Sequence, residues 1–80
     1  MRTVNQPVQV QTDAQGRPVK FSFQGQRYWV QTIIDFWRES GRWWDHEPER
    51  QIYRVQTTSG GVFELEHLSA GHWQLYCIFD

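Results

Sequence analysis

Cysteine occurs once in these 80 residues, leucine three times, and lysine and methionine once each. A single thiol, Cys77, closes no internal disulfide and cannot build a cysteine-rich zinc site, so the chain suits a reducing compartment. Scarce leucine argues against a helical bundle with a leucine-filled core. No stretch approaches the ~20 apolar residues that a membrane-spanning helix needs. Met1 to Pro7 lack the apolar core of a secretory signal, so the expected setting is the cytoplasm, with no membrane partner. Charge of one sign is also missing. Lys and Arg number 8 against 9 Asp and Glu, a net charge of −1, and a strongly electrostatic nucleic-acid binder would carry a basic balance.

What the chain has instead is aromatic mass. Trp, Tyr and Phe make up 16% of the residues. A single domain over 1–80 buries only about 60–65% of its unfolded surface at this size, so its core must be built from large side chains. Large flat residues beside β-branched ones suit a pleated sheet. Turn signals recur at Asp13-Ala14-Gln15-Gly16, Gln24-Gly25, Ser40 to Glu49, Ser59-Gly60-Gly61 and Ser69-Ala70-Gly71. Short apolar runs between Gly-bearing turns predict an all-β fold, a small antiparallel six-stranded curled sheet or barrel.

The six expected strands are Val4 to Thr12, Pro18 to Phe23, a long third from Gln26, Arg50 to Thr58, Val62 to Leu68 and His72 to Phe79. Alternation sets Tyr53, Val55 and Thr57 against Ile52, Arg54 and Gln56. It turns Phe63 and Leu65 away from Glu64 and Glu66, which read as a solvated face with a carboxylate pair geometrically possible. In the last strand it groups Trp73, Leu75, Cys77 and Phe79. The third strand groups Tyr28, Val30, Ile34 and Phe36 against Trp29, Ile33 and Trp37, apolar on both faces. The same segment fits helical spacing through Val30, Ile33, Ile34 and Trp37. The β-branched run and the missing N-cap favour a strand.

Charge is uneven along the chain. Residues 1–34 hold Arg2, Arg17, Lys20 and Arg27 against Asp13 alone, a surplus of three positive charges. A polarised molecule orients a partner even at near-zero net charge.

The stretch Phe36-Trp37-Arg38-Glu39-Ser40-Gly41-Arg42-Trp43-Trp44 interleaves arginines with tryptophans, and Arg54 follows. Trp and Arg dominate binding hot spots because they bury large area with few rotamers to freeze. They also suit single-stranded nucleic acid, where an indole stacks on a base and a guanidinium meets phosphate. Core packing and internal cation–π support compete with both readings. Adjacent strand residues point to opposite faces, so Trp43 and Trp44 cannot both enter one core. The candidate contact set is Arg38, Arg42, Trp43, Trp44 and Arg54.

Other chemistry finds little support. Asp45-His46-Glu47-Pro48-Glu49 lacks the spacing of a calcium loop, and His46, His67, His72 and Cys77 show no zinc-ligand spacing, so no metal is expected. Cys77 sits in an apolar alternation, where an inert buried thiol is the default. No nucleophile motif accompanies the serines, and neither an enzyme nor a cofactor is expected.

Taken as a set, Gly16-Arg17-Pro18, Phe21, Gly25-Gln26-Arg27-Tyr28, Gly41-Arg42-Trp43-Trp44, Tyr53-Arg54-Val55, Gly60-Gly61-Val62-Phe63-Glu64-Leu65 and Trp73-Gln74-Leu75 resemble a family of short bacterial proteins of unknown function. The second half is also similar to the tail of ImuB-type, catalytically inactive Y-family polymerase-like proteins, adaptors in translesion synthesis. That tail ends on Trp followed by Tyr-Asp, whereas this chain ends on Phe79-Asp80. The resemblance implies a non-enzymatic protein-interaction module in DNA-damage tolerance, with a DNA-repair or polymerase-like partner. Direct single-stranded nucleic-acid binding is the alternative, and a homodimer is a third reading.

Overall fold

The computed structural model of the chain describes residues 1–40, 44, 49–69 and 71–79. Its strands are β1 (Arg2–Thr12), β2 (Pro18–Phe23), β3 (Gln26–Glu39), β4 (Arg50–Thr57), β5 (Val62–Ser69) and β6 (His72–Phe79). Each pairs antiparallel with its neighbour in sequence, and β6 returns to β1, giving a closed barrel of order β1-β2-β3-β4-β5-β6. The segment that fits both helix and strand is strand throughout, from Gln26 to Glu39. No helix among the described residues is long and apolar enough to cross a membrane.

Local chemistry explains the turns. Gln24-Gly25 connects the paired residues Phe23 and Gln26, and both turn residues have positive φ (51° and 77°). That is the two-residue hairpin geometry whose twist matches its flanking strands, and glycine accepts it without a Cβ penalty. At the β1–β2 connection, the Asp13 carboxylate accepts backbone N–H bonds from Gln15 and Arg17, each 2.9 Å, and the Arg17 guanidinium at 2.9 Å. The backbone N–H of Arg17 foremost holds the Asp13 carboxyl below the usual carboxylate range.

Two long strands close the barrel by serving two sheets each. The first part of β1 pairs with β6 through Val8, and the rest pairs with β2 from Gln9. β3 pairs with β2 over Gln26 to Trp29 and with β4 from Val30 onward. A strand that changes partner must bend, and irregularities supply the bend. In β1 the register shifts between Thr3 and Gln6, where Asn5 takes φ 54°. In β3 it shifts between Val30 and Thr32 and again between Ile33 and Asp35.

These shifts correct the face assignments made from strict alternation. Each extra residue reverses which later side chains face inward. Tyr28, Val30 and Ile33 pack on the core, while Ile34 is the extra residue and is exposed. In β6 the partners jump from Cys77 opposite Glu64 to Leu75 opposite Leu65, leaving Tyr76 as the extra residue. Ile78 therefore joins Trp73 and Leu75 in the core cluster. Cys77 and Phe79 belong to the other face, Cys77 buried there beside β1 and Phe79 against the Arg54 guanidinium.

The core consists of Phe21, Phe23, Tyr53, Val55, Phe63, Leu65, Trp73, Leu75 and Ile78. Phe21 stacks on Tyr28 at 5.1 Å and meets Phe63 edge-on at 5.2 Å, the offset and T-shaped geometries that ring quadrupoles favour. Burial also extends to the outer face of β4 and β5. Ile52 is buried there, and so are Glu64 (4% exposed) and Glu66 (2% exposed). The expectation of a solvated acidic face is overturned, because arginines cover both carboxylates.

Candidate functional site

The arginines of the Trp/Arg set divide into two kinds. Arg54, on β4, lies opposite Glu64 and donates to one carboxylate oxygen from Nε (3.0 Å) and Nη2 (2.8 Å). Its guanidinium also lies over the rings of Trp37 (5.5 Å) and Phe79 (5.1 Å). A buried carboxylate without a counter-ion is strongly disfavoured, so Arg54 neutralises Glu64 and is not free for a partner. Arg38, at the end of β3, is exposed, and its Nε stands 3.8 Å from Glu49, too loose a contact to fix the side chain. Arg42 and Trp43 lie outside the described residues. Trp44 is 63% exposed, as expected of one member of the tandem pair.

Arg50, which follows the same Trp/Arg stretch in sequence but is not in the contact set, plays the same role as Arg54. Its Nη2 is 2.8 Å from Glu39 and its Nη1 3.3 Å from the buried Glu66. Trp37 extends the chain by donating its indole N–H to Glu39 at 3.2 Å. The outer face of β3, β4 and β5 is thus a closed polar network, in which Glu64 and Glu66 each hold a separate arginine rather than share a proton. Only the pairing of Arg50 with Glu39 across the β3–β4 ladder could have signalled it.

The unusual feature is the edge of β3. From Thr32 to Glu39 this strand bonds to β4, but its β2 partner ends at the pair Lys20–Trp29. β2 begins at Pro18, which has no N–H to extend the ladder. Among the described residues no strand covers the other side of Thr32 to Glu39. Backbone donors and acceptors along such an edge form a template for a further strand. Apolar side chains accompany it. Ile34 is 49% exposed at its bulge, and Phe36 is exposed although its ring lies 4.6 Å from that of Tyr53. With Trp44 they make up half of the six exposed large hydrophobic residues among those described, the others being Met1, Val19 and Trp29.

Behind this edge the barrel end is aromatic. Tyr53 and Trp73 lie 5.6 Å apart, and His67 stacks flat on Trp73 at 4.4 Å and 9°. Burial raises the Tyr53 hydroxyl above its ordinary value, so it stays a protonated donor across the physiological range. Burial likewise raises Cys77, which therefore remains a thiol rather than a nucleophilic thiolate near neutrality. His67, His72 and Cys77 do not assemble as ligands: among the described residues, no three of His, Cys, Asp and Glu gather to hold a metal ion.

A family model, DUF6504, a domain of unknown function, matches residues 1–80. No curated protein and no solved structure matches.

Proposed function

The chain belongs to the DUF6504 family of domains of unknown function, and we propose that it is a non-enzymatic docking module that captures an extended segment of a partner protein along β3. The observation that carries this reading is the edge from Thr32 to Glu39, which no strand among the described residues covers and which exposed Ile34 and Phe36 flank; Trp44, also exposed, follows β3 in sequence. An extended peptide adds itself to such an edge through main-chain hydrogen bonds, and side-chain pockets then supply selectivity. Ile34, Phe36 and Trp44 offer the apolar anchors, and Arg38 sits at the rim, where a charge steers approach more than it adds affinity. An apolar edge is a liability for aggregation, which an added partner strand would relieve.

The resemblance of the second half to the tail of ImuB-type proteins supports searching for the partner among proteins of DNA-damage tolerance. Nucleic-acid binding by the same Trp/Arg set has less to draw on, because Arg54 is committed to Glu64.

Site-specific photo-crosslinking tests the reading. A photo-reactive residue in place of Ile34 should yield a discrete adduct with one protein in cells, while the same residue in place of Ala14, exposed in the β1–β2 turn, should not. Ile34→Lys should abolish capture without lowering the melting temperature. An adduct with a translesion protein would support the damage-tolerance role. An adduct only with a second copy of the chain, with dimers in sedimentation, would replace a foreign partner by self-association. No adduct from position 34, in a folded monomer, would end the edge-docking reading.

A further inference from the structure

A second surface lies on the outside of β1, β2 and the first part of β3, and it uses none of the residues of the β3 edge. Register dictates its composition. Val10, Phe21 and Tyr28 form one cross-strand row that packs on the core. The rows on either side must therefore face outward: Gln9–Ser22–Arg27 and Gln11–Lys20–Trp29. They border a hollow of about 470 Å³ whose lining includes Gln9, Gln11, Lys20, Ser22 and Arg27. At its edge stands Trp29, 56% exposed, with the Lys20 ammonium 4.8 Å from its ring centroid.

The charge of this face is uncompensated. Asp13, the one acid among residues 1–34, is engaged by Arg17 at 2.9 Å. Glu39, Glu64 and Glu66 belong to the other sheet and are held by Arg50 and Arg54. Lys20 and Arg27 have no acidic partner among the described residues. An exposed core-sized indole, two unpaired cations and a row of amides and a hydroxyl make up the composition that tracks a single strand. The cations meet phosphate, the indole stacks on any base, and Gln9, Gln11 and Ser22 donate to or accept from whatever base edge is presented.

We propose that the outer face of β1–β2–β3 is a binding site for single-stranded nucleic acid, with Trp29 as the stacking platform and Lys20 and Arg27 as the phosphate contacts. The net charge of −1 does not oppose this, because the potential at a surface follows the local distribution, and Glu39, Glu64 and Glu66 are held by arginines on the other sheet. The contacts are few, so binding is weak, without sequence preference and dependent on salt.

Fluorescence anisotropy of a labelled oligothymidylate of about 12 nucleotides, titrated with the full chain, tests the site. Two phosphate contacts predict that affinity falls about sevenfold between 50 and 200 mM salt. The double variant Lys20→Gln, Arg27→Gln should remove that salt dependence together with most of the binding. Trp29→Ala should weaken binding about tenfold, and Trp29→Phe should retain most of it. All three side chains concerned in these variants face outward, so circular dichroism and melting should match the parent. Absence of binding at low salt by the folded protein overturns the proposal, and so does binding that the double variant leaves intact. Polyglutamate that binds in place of the oligonucleotide, indifferent to Trp29→Ala, would assign the face to an acidic protein instead and also overturn it.

Discussion

A single arginine in this chain is either a partner for a buried acid or a free surface charge, and composition does not distinguish the two. Arg38 and Arg54 both looked like contact residues beside tryptophan. The register puts Arg54 opposite Glu64 and Arg38 at the barrel rim. Their alanine variants should therefore diverge. Arg54→Ala strands a carboxylate that is 4% exposed and should cost about 2–3 kcal/mol, below the largest buried-pair values because Arg54 itself is partly solvated. Arg38→Ala should stay within about 0.5 kcal/mol of the parent. Urea denaturation of both variants measures the difference, and equal costs would refute the division. The solvated-face reading of Glu64, one of the two the sequence allowed, fails for the same reason: its alternation with Phe63 and Leu65 is that of any half-exposed strand, and its burial goes with the arginine that covers it.

At the scale of the element, the informative features are the extra residues. Strict alternation grouped Ile34 with Tyr28 and Val30 and set Ile33 on the opposite face; the register shift between Val30 and Thr32 brings Ile33 onto the core with Val30, and the second shift leaves Ile34 as the exposed extra residue. The same happens at Tyr76, which moves Ile78 inward and Cys77 out of the core cluster. A bulge is invisible in a hydrophobic pattern when both faces of the strand are apolar, as they are in β3. Geometry rather than side-chain identity should then control stability at position 34. Deleting Ile34 turns Asp35 through Glu39 over and should cost roughly 2–4 kcal/mol, whereas Ile34→Ala should cost less than about 1 kcal/mol. Chemical denaturation of the two variants decides it, and a large loss from the alanine variant alone would contradict the bulge assignment. The same bulge turns Ile34 out beside the free edge, so the device that bends the strand also supplies an anchor for docking.

At the scale of the whole molecule, the seam between β1 and β6 closes the barrel and joins residues far apart in sequence, such as Thr3 with Cys77 and Val8 with Trp73. Cys77 lies at this seam, buried, with its thiol raised by burial. Its labelling by a thiol reagent reports opening of the closure. The folded chain should react orders of magnitude more slowly than the urea-unfolded chain at the same pH, and Val8→Asp, which places a charge against the core beside Trp73, should speed the reaction. Fast labelling of the parent would show that β1 is not held closed. Across the described residues charge is segregated too: Glu39, Glu64 and Glu66 are paired with arginine on the β3–β4–β5 face, while Lys20 and Arg27 on the β1–β2–β3 face have no acidic partner.

The sequence by itself determined the strands, their turns and the antiparallel class, because period-two alternation and glycine-bearing turns are local signals. It also required that one of Trp43 and Trp44 be exposed, since two adjacent strand tryptophans cannot share one core, without saying which. It marked the positive surplus of residues 1–34 without saying that Lys20, Arg27 and Trp29 share a face. Only the tertiary structure decided closure, the two partner changes of β1 and β3, and the edge from Thr32 to Glu39 that no described strand covers. It alone showed that Arg54 and Arg50 are spent on buried glutamates. These facts depend on register between strands, and register is a non-local property: one extra residue leaves composition and spacing nearly unchanged while it exchanges the faces of every residue that follows.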